Sequence, residues 1–483
     1  MADRYDLLIV GGGINGTAIA RDAAMRGKKV LLVEKDDLAQ HTSSASSKLI
    51  HGGLRYLEYY EFRLVRKAMK ERTILLDTAH IVRPLRFVLP HGEGMRPWWM
   101  IRAGLSLYDL LAWGGRLPRS RTVRDPALRD PLRQQARKHL AAYWDAWVDD
   151  ARLVVLNAVA AAEHGAEIAT RTELLSARRE GDWWEARLSD GRTVQASAMV
   201  NAAGAWVADL LGRLCEDSAS RVRLIKGRHI VVPGLYEGDH AYMLQQPDGR
   251  VVFALPYGAH NLVGTTDIPV ERPEDAVIGA DEIAYLCDAV NLYFDKRTQP
   301  ADVVWSYSGV RSLYDDGAAA AQSVTRDYRL ELDTDPGAKL LSVFGGKITT
   351  ARALAEEAVG LLGMTGRSRT RDAFLPGGEM NDMWDDSHEQ LLDRLRSWMP
   401  EELIARLVRR YGARIGQVVG AATSLEHLGR HFGAGLYEAE VRYLCDKEFA
   451  RTAEDILWRR TKLGLRMTRS ESEALAAALQ GPS

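Results

Sequence analysis

Three glycines near the amino terminus have the spacing that a bound pyrophosphate requires. They form a Gly-x-Gly-x-x-Gly motif directly after an apolar run at residues 5–10 and at the start of a helical pattern. The first glycine permits a tight turn, the second lets the backbone approach a pyrophosphate, and the third allows close helix–strand packing. The start of the helix then offers free N–H groups to the phosphates. The residues that we expect at the pyrophosphate are Gly11, Gly13, Ile14, Asn15 and Gly16.

A carboxylate follows at the position that suits a nucleotide ribose. Residues 30–33 predict a second buried strand, and Glu34 stands at its end. A carboxylate there accepts hydrogen bonds from both ribose hydroxyls and disfavours a 2′-phosphate. With the helix over residues 15–26 and its stop at Gly27, these features predict a βαβ dinucleotide-binding unit. The unit by itself does not distinguish FAD from NAD.

A serine-rich segment is the first of three later features that favour a flavin. Residues 42–48 read Thr-Ser-Ser-Ala-Ser-Ser-Lys, and their small hydroxyl side chains can line an extended cofactor with hydrogen-bond donors. The competing interpretation is a solvated loop. The residues of this segment that we expect at the cofactor are Thr42, Ser46, Ser47, Lys48 and Leu49.

Two small-residue turns after predicted strands are the other features. Residues 201–206 end a strand with Asn-Ala-Ala-Gly, which lets the backbone at Gly204 lie against a flat ring system. At residues 344–352 a buried strand meets a Gly-Gly turn and then a helix, for which we expect a threonine cap. The helix start can direct its dipole at the flavin pyrimidine ring, where positive potential stabilises a reduced, anionic flavin. The residues expected at this turn are Gly346, Lys347, Ile348 and Thr349.

The bulk composition limits the possible classes of protein. The chain has 483 residues, which predicts two or three structural units. The net charge of -1 carries no strong field toward nucleic acid, so we expect no nucleic-acid partner. The three cysteines, Cys215, Cys287 and Cys445, are far apart, which favours a reducing compartment and predicts no metal site. Redox chemistry must therefore come from a bound cofactor.

No targeting or membrane-spanning segment is evident in the sequence. The predicted fold begins by Tyr5, and no window of about 20 residues is apolar enough to cross a bilayer. We expect a protein in the cytosol or on a membrane surface that faces it.

Further motifs give the chain a resemblance to a known family, the aerobic, quinone-linked FAD-dependent glycerol-3-phosphate dehydrogenases. The resemblance extends over essentially the whole length, and the glycine motif is its least specific part. It departs from the family pattern at Ala203, Ala205 and Ser312, where the family has Thr, Pro and Pro, but none of these changes removes a titratable group. The other segments that carry it are residues 46–58, 147–153, 225–233, 264–267, 307–311, 344–350 and 457–464.

The resemblance implies an α/β flavoprotein. We expect a Rossmann-like FAD-binding domain and a β-rich substrate-binding domain, arranged as in glutathione reductase and D-amino-acid oxidase, followed by a helical C-terminal domain. The oxidoreductase region is expected over residues 1–370 and the helical domain over 371–483. The expected FAD-binding segments are about 1–80, 145–220 and 335–370, and the substrate-binding segments about 81–144 and 221–334.

The implied reaction oxidises sn-glycerol 3-phosphate to dihydroxyacetone phosphate, with hydride transfer from C2 to N5 of FAD. A phosphate dianion is best held by arginine, which can donate two parallel hydrogen bonds. The resemblance places Arg55 and Arg311 at the phosphate, and Tyr56 and Thr265 can donate further hydrogen bonds.

The proton of the C2 hydroxyl requires a base. We favour His229, an imidazole that titrates near neutral pH, although a lone histidine beside a strand is more often structural. Lys347 is the competitor, either as the base or as a charge that holds the alkoxide. The expected catalytic set is therefore His229, Arg311 and Lys347.

A membrane contact is also expected. Residues 97–113 are aromatic and aliphatic with internal charges, which fits an amphipathic helix in the headgroup layer. The arginine-rich residues 116–138 can bind anionic lipid, although a buried helix followed by a solvated basic loop is the alternative. The resemblance implies peripheral attachment to the inner face of the cytoplasmic membrane and ubiquinone as the electron acceptor. We also expect a homodimer.

Two other functions compete with this one. Glycerol-3-phosphate oxidases resemble the same family and pass electrons to O₂, so the motifs separate the two activities poorly. A flavoprotein that binds RNA or a protein through residues 116–138 is the other alternative, but the neutral overall charge and the sparse aromatic residues in that stretch argue against it. The residues after about 371 suggest an amphipathic bundle with no chemistry of its own.

Overall fold

A computed structural model gives the fold of the chain. It describes residues 3–92, 95–214, 222–265, 267–314, 327–334, 337–381 and 386–480. Cys215 lies outside these residues. The strands are β1 Asp3–Tyr5, β2 Leu7–Val10, β3 Val30–Glu34, β4 Leu49–Ile50, β5 Val82–His91, β6 Arg121–Thr122, β7 His139–Val148, β8 Glu167–Thr170, β9 Leu174–Glu180, β10 Trp183–Leu188, β11 Thr193–Ala196, β12 Ala198–Asn201, β13 Val222–Pro233, β14 His240–Gln245, β15 Val251–Tyr257, β16 His260–Gly264, β17 Ile268–Val270, β18 Trp305–Tyr314, β19 Arg329–Asp333, β20 Lys339–Phe344, β21 His431–Gly433 and β22 Leu436–Tyr437.

Helices occupy much of the remaining chain. None in the described residues is both long and apolar enough to cross a bilayer. The α-helices are α1 Ile14–Met25, α2 Phe62–Thr78, α3 Trp98–Leu111, α4 Pro126–Arg129, α5 Asp150–Glu163, α6 Val207–Leu214, α7 Ala280–Asn291, α8 Ala351–Leu361, α9 Asp386–Arg396, α10 Glu401–Tyr411, α11 Ile415–Val419, α12 Glu438–Glu448 and α13 Arg469–Leu479.

A six-stranded sheet forms the centre of the nucleotide-binding region. Its order is β19-β20-β12-β2-β3-β8, and all its strands are parallel except β19. Helices α1, α5 and α8 cover one face through an apolar core. A four-stranded sheet, β1-β11-β10-β9, packs on the other face around the buried Trp184. The predicted first strand is two strands, because the chain breaks at Asp6, whose carboxylate accepts a hydrogen bond from the Lys29 N–H.

A ten-stranded sheet forms the second region and is mostly antiparallel. Strands β13, β16, β15, β14, β5, β7 and β4 follow one another in it, and β18 pairs with β13. Helix α7 covers one face, and α2 and α3 pack on the other. For two short strands, the sheet in which they pair differs from the one that the segment boundaries predicted from the sequence imply. Strand β4 joins this sheet through β7, and β19 joins the nucleotide sheet through β20.

The C-terminal region is a helical bundle with its own apolar core. It also contains the two-stranded hairpin of β21 and β22 and a π-helical turn, Asp455–Arg460, which a purely helical prediction did not include. The fold class expected from the sequence is confirmed: an α/β FAD-binding region, a β-rich second region and a helical C-terminal region.

Candidate active site

The predicted cofactor residues converge on one edge of the six-stranded sheet. The glycine motif follows β2, Glu34 ends β3, Gly204 follows β12, and the Gly345–Gly346 turn follows β20. These four strands are parallel neighbours, so their carboxyl ends meet at the same edge. From β2, the chain continues to β3 on one side of it, while β12 lies on its other side. A crevice forms at such a point, outside the carboxyl ends of the strands, and ligands of parallel sheets bind there.

The glycine motif is closely packed, and two of its members tolerate no side chain. A Cβ on Gly11, whose φ is +115°, would lie 2.4 Å from the carbonyl oxygen of Ala202. A Cβ on Gly16 would lie 1.9 Å from the carbonyl oxygen of Gly11. The turn between β2 and α1 therefore presses against the end of β12, and a pyrophosphate can approach the backbone there.

The start of α1 is tied to two other parts of the site. The Ile14 N–H donates to the hydroxyl of Ser43 at 3.0 Å, which joins the helix start to the serine-rich loop. Asn15 donates from Nδ2 to the Gly345 carbonyl at 3.1 Å, and a Cβ on Gly346 would lie 2.9 Å from the same Nδ2. The turn after β20 therefore packs directly on the first turn of α1.

Glu34 has the environment of a ribose-binding carboxylate. It is buried, and it accepts hydrogen bonds from the Gly12 N–H at 2.6 Å and the Asp36 N–H at 2.9 Å. Burial raises its pKa above the ordinary value, and these two N–H donors oppose the rise. A cleft opens beside it, and the donor set and small residues around that cleft fit the ADP half of FAD. The predicted residues that line the cleft are Gly11, Gly13, Glu34, Thr42 and Gly204.

The serine-rich loop uses many of its side chains within the protein. Ser46 donates from its hydroxyl to Asp150 at 2.8 Å. Lys48 has no exposed surface and donates to both Asp150 oxygens at 2.8 and 2.9 Å. The Lys48 ammonium therefore faces Asp150 rather than the cleft, and Leu49 is buried in β4. These residues shape the loop, which leaves its backbone to meet a cofactor.

The same loop rests on the ten-stranded sheet. Thr42 donates to the Val310 carbonyl at 2.6 Å, and a Cβ on Gly309 would lie 2.8 Å from the Cβ of Ala45. Ser47 lies 2.9 Å from Nε2 of His229. The cofactor-side loop and the substrate-side strands β13 and β18 therefore form one continuous surface.

His229 is more enclosed than a surface base. It is 1% exposed, its ring stacks on Tyr307 at 4.9 Å, and Nε2 is engaged with Ser47. Burial, with the nearby charges of Lys48 and Arg311, holds the pKa of His229 well below its ordinary value. The imidazole is therefore neutral at neutral pH, and its contacts position the loop.

The structure places Tyr56 beside Lys347 in the turn after β20, whereas Arg311 and Thr265 are held by other contacts. Lys347 places its Nζ 3.9 Å from the centre of the Tyr56 ring, and Arg55 is half-buried beside Tyr56 in the 3₁₀ turn Leu54–Tyr59. Arg311 forms an ion pair with Asp267 at 2.7 Å and is partly exposed. Thr265 accepts a hydrogen bond from the Arg228 N–H at 3.2 Å, which ties it to β13.

His51 belongs to this group, and the sequence reasoning did not select it. Burial lowers the pKa of His51 to about 4, with Asp145 opposing the shift and Lys347 and Arg311 reinforcing it. The imidazole therefore lies within electrostatic reach of both predicted cations. The signal in the sequence was its place before Gly52 and Gly53, where backbone can approach other groups closely.

The threonine cap expected at the flavin-side helix is absent. Thr350 is the N-cap residue of α8, but its hydroxyl makes no capping hydrogen bond, and Ile348–Thr350 forms a 3₁₀ turn instead. Thr349 is buried, and Ile348 is half-buried. The backbone of this turn, rather than a side chain, can therefore meet a bound ring system.

The C-terminal region contributes to the site, which the sequence did not predict. Arg459 and Arg460 form buried ion pairs with Asp37, three residues after Glu34, each at 2.6 Å. Trp458 stacks on Trp305 at 4.6 Å, two residues from Tyr307. The π-helical turn therefore supports both the ribose side and the substrate side of the site.

Comparisons with known proteins agree with this geometry. A model described as "FAD dependent oxidoreductase" matches residues 6–360, and one described as "C-terminal domain of alpha-glycerophosphate oxidase" matches residues 368–480. A solved glycerol-3-phosphate dehydrogenase of Bacillus halodurans, complexed with FAD, has a TM-score of 0.73 and 24% identity, covering 99% of this chain and 94% of that one.

Curated relatives are similar over nearly the full length. A D-erythritol 1-phosphate dehydrogenase of Brucella abortus is 52% identical over 97% of this chain and 96% of its own. A glycerol-3-phosphate dehydrogenase of Pseudomonas aeruginosa is 50% identical, covering 99% and 96%. The aerobic glycerol-3-phosphate dehydrogenase of Escherichia coli is 46% identical, covering 95% and 94%.

The fold and the dinucleotide cleft define an FAD-dependent oxidoreductase. The chain belongs to the FAD-dependent oxidoreductase family, in the group of the FAD-dependent glycerol-3-phosphate dehydrogenases. The family resemblance seen in the sequence and the expectation of FAD are thereby confirmed. The roles of individual site residues stay predictions.

Proposed function

We propose that this enzyme oxidises sn-glycerol 3-phosphate to dihydroxyacetone phosphate. The observation that carries the proposal is that Lys347 lies against Tyr56 in the turn after β20, and that the charges of Lys347 and Arg311 both act on the imidazole of His51. Cations of this kind suit a phosphorylated alcohol, and a neutral imidazole suits removal of the hydroxyl proton. FAD supplies the acceptor for the hydride that leaves C2.

The chain's own residues hold the substrate and the proton. We propose that Arg55 and Arg311 bind the phosphate dianion, with Tyr56 and Thr265 near it. Arg311 would exchange its contact with Asp267 for the stronger charge of the phosphate. Lys347 then stabilises the oxygen at C2 as the proton leaves.

The proton acceptor is better assigned to His51 than to His229. His51 is half-buried and lies near both cations, whereas His229 is almost fully enclosed and already bonded to Ser47. A bound phosphate dianion would offset Lys347 and Arg311 and raise the pKa of His51 toward its ordinary range. We therefore propose His51 as the base and His229 as the residue that holds the serine-rich loop.

A direct test is anaerobic addition of sn-glycerol 3-phosphate to the purified holoenzyme. We expect the flavin absorbance to bleach and dihydroxyacetone phosphate to form. Glycerol without the phosphate is the matched control and should leave the flavin oxidised, because it lacks the group that the cations bind. An oxidised flavin with both compounds would refute the proposed substrate.

D-Erythritol 1-phosphate is a second candidate substrate. The 52% identical Brucella relative is named for its oxidation, and this compound shares the phosphate and an oxidisable secondary alcohol. The same experiment with both phosphates separates the candidates. A higher kcat/KM for the four-carbon compound would assign the enzyme to it.

We further propose that the electrons pass to ubiquinone and that the enzyme lies on an anionic membrane surface. One face of α3 and the loops beside it is apolar and exposed: Trp99 is 68% exposed, Trp113 73% and Tyr60 79%. Such an exposed aromatic patch fits insertion into the headgroup layer. The surface would face the cytoplasm, as expected for the inner face of the cytoplasmic membrane.

The arginine-rich stretch supports this proposal only in part. Arg129, Arg133 and Arg137 donate to backbone carbonyl groups and so build the local fold. Arg119 lies 4.7 Å from the Trp113 ring centre, and the exposed Arg116 pairs with Asp77 at 3.1 Å. Arg119 is therefore the better placed of the two to meet lipid phosphates.

Membrane binding can be tested without disturbing the core. Deleting residues 97–115 would also remove the buried Tyr108, so Trp99→Ser with Trp113→Ser is the sharper variant. We expect the wild type to sediment with anionic vesicles and this variant to stay in the supernatant with its flavin-reduction rate unchanged. Leu175→Ser, an exposed apolar residue on β9, is the control. Unaltered sedimentation of the double variant would refute the assigned surface.

The final acceptor and the assembly have their own tests. Hydrogen peroxide produced in a ratio near one per turnover in the presence of quinone would favour the oxidase alternative. The homodimer and the domain boundaries drawn from the sequence stay predictions, which mass measurement in solution and limited proteolysis can check.

A further inference from the structure

A buried carboxylate, Asp145, is hydrogen-bonded to the residue that follows His51. Asp145, on β7, accepts hydrogen bonds from the Tyr108 hydroxyl at 2.8 and 2.9 Å and from the Gly52 N–H at 3.3 Å. It also forms an ion pair with Arg72, which is nearly fully buried. A carboxylate enclosed in this way is costly unless it is paired, and here two donor side chains and one backbone N–H surround it.

The three partners come from three different elements. Arg72 lies on α2, Tyr108 on α3, and Gly52 is the residue after His51. A Cβ on Gly52 would lie 2.6 Å from the Tyr108 hydroxyl, so the chain passes tightly over the group. The backbone that carries His51 is therefore anchored to Asp145.

Among the described residues, four charged groups act most strongly on the His51 imidazole. Lys347 approaches from the turn after β20, Arg311 from β18 and Arg72 from α2, and Asp145 is the carboxylate that opposes these cations. Because Asp145 lies in a low-dielectric interior, its charge acts strongly on a neighbouring imidazole. Burial, reinforced by Asp145, raises the pKa of Tyr108 well above its ordinary value, so its hydroxyl keeps its proton and stays a donor.

We propose that Asp145 is a positioning residue for the oxidation, which holds the His51 backbone and sets the affinity of the imidazole for the substrate proton. Tyr108 and Arg72 moderate its charge. The inference rests on the proposed function, because His51 acts there as the base. It also gives α3 a second role, since this helix presents an exposed apolar face on one side and Tyr108 to Asp145 on the other.

The experiment follows the pH dependence of flavin reduction by sn-glycerol 3-phosphate in the holoenzyme. Asp145→Asn removes the negative charge, so the pKa of His51 falls. We expect the acidic limb of the pH–rate profile to move to lower pH by about one unit and the plateau rate to be slower. Tyr108→Phe removes a donor and leaves more negative charge at Asp145. The acidic limb should then move the other way, by a smaller amount.

Tyr143→Phe is the matched control. Tyr143 is buried on the same strand, two residues from Asp145, but its hydroxyl donates to the sulfur of Met243 at 3.4 Å. Its acidic limb should equal that of the wild type. If Asp145 had a purely structural role, FAD content would fall in all three variants, and the pH–rate profiles of Asp145→Asn and Tyr108→Phe would not shift in opposite directions.

A second readout needs no substrate. Titration of His51 by NMR, in holoenzyme labelled at histidine, should show the shifts in the same two directions. Unchanged titration and pH profile in both test variants, or an equal shift in Tyr143→Phe, would overturn the proposal. If Asp145→Asn does not fold, Tyr108→Phe decides. Shifted titration in an enzyme that glycerol 3-phosphate does not reduce would retain the positioning role and refute only the proposed function.

Discussion

At the scale of single residues, the two histidines of the site differ in what surrounds them. His229 is packed against Tyr307 and Ser47, and the charges of Lys48 and Arg311 act on it, whereas Lys347 and Arg311 act on His51. Both have a lowered pKa, so both are neutral at neutral pH and able to accept a proton. We propose that access to the substrate separates their roles, because His51 is half-buried and His229 is 1% exposed.

We predict that His51→Ala slows flavin reduction by roughly 100-fold or more, the usual loss when a general base is removed. His229→Ala should cause a smaller loss, because it releases the serine-rich loop rather than removing the base. FAD should stay bound in both variants. Stopped-flow absorbance under anaerobic conditions measures the rates.

The control for these variants is His164→Ala, since His164 is exposed at the end of α5. Its rate should match that of the wild type. A larger loss in His229→Ala than in His51→Ala would return the base to His229, and wild-type rates in both would favour Lys347.

At the scale of elements, the β2–α1 turn determines whether the cofactor can bind. Gly16 has no room for a side chain, because the nearest atom is the backbone oxygen of Gly11, which cannot rotate away. Any larger residue must therefore push α1 from β2 and widen the pyrophosphate site.

We predict that Gly16→Ala weakens FAD binding roughly tenfold or more, since a tenfold change corresponds to only about 1.4 kcal/mol. Purified variant protein should contain less flavin, and titration of the apoprotein with FAD measures the affinity. Gly104→Ala is the matched control, because a Cβ on Gly104 in α3 meets nothing within 4 Å. That variant should bind FAD normally and gain up to about 1 kcal/mol of stability from helix propensity. Equal affinity in both variants would contradict the packing argument.

At the scale of the whole molecule, buried and partly buried ion pairs join the C-terminal region to the nucleotide region. Arg459 and Arg460 pair with Asp37, Arg152 pairs with Glu448, and Asp455 pairs with Arg171. A buried ion pair gives little net stability, but removing one partner leaves an uncompensated charge. The C-terminal region and the cofactor site should therefore lose their structure together.

Asp455 gives this coupling a pH dependence. Burial opposes its charged form, but hydrogen bonds from the Arg451 N–H, Thr452 and Arg459, with the charge of Arg171, lower its pKa to about 2. Because the folded pKa lies below the ordinary value of 3.8, the ionised group stabilises the fold above that pH. This stability is lost as the pH falls from about 4 to about 2.

We predict that Asp455→Asn lowers the free energy of unfolding by roughly 2 kcal/mol at neutral pH, from the shift of nearly two pKa units. The difference from the wild type should shrink as the pH approaches 2. Urea unfolding followed by tryptophan fluorescence at several pH values measures it. Asp446→Asn, at an exposed position of α12, should leave the stability unchanged. A difference independent of pH would contradict the assignment to Asp455.

Much of the cofactor side was predictable, because local patterns specify it. The glycine spacing, Glu34 after a buried strand, and the Gly345–Gly346 turn are each defined within a short stretch of chain. Parallel pairing then brings their carboxyl ends to one edge, as such sheets require. The prediction of a threonine helix cap was wrong, because residues Ile348–Thr350 form a 3₁₀ turn instead.

The substrate side was less predictable, because it depends on contacts between distant residues. No spacing in the sequence relates Gly52, next to His51, to Asp145, or Arg460 to Asp37, because these pairs are 93 and 423 positions apart along the chain. The burial that distinguishes His51 from His229 also arises only when β4, β13 and β18 pack together.

The amino-acid sequence by itself determined the class of cofactor, the family and the order of the three regions, because these rest on short motifs and on periodic burial. Only the tertiary structure decided how deeply each imidazole is buried, that Lys48 pairs with Asp150 in the interior, and that the C-terminal region supports the site. Those properties depend on desolvation and on the distances between charged groups. Both are set by packing between elements, which local sequence does not encode.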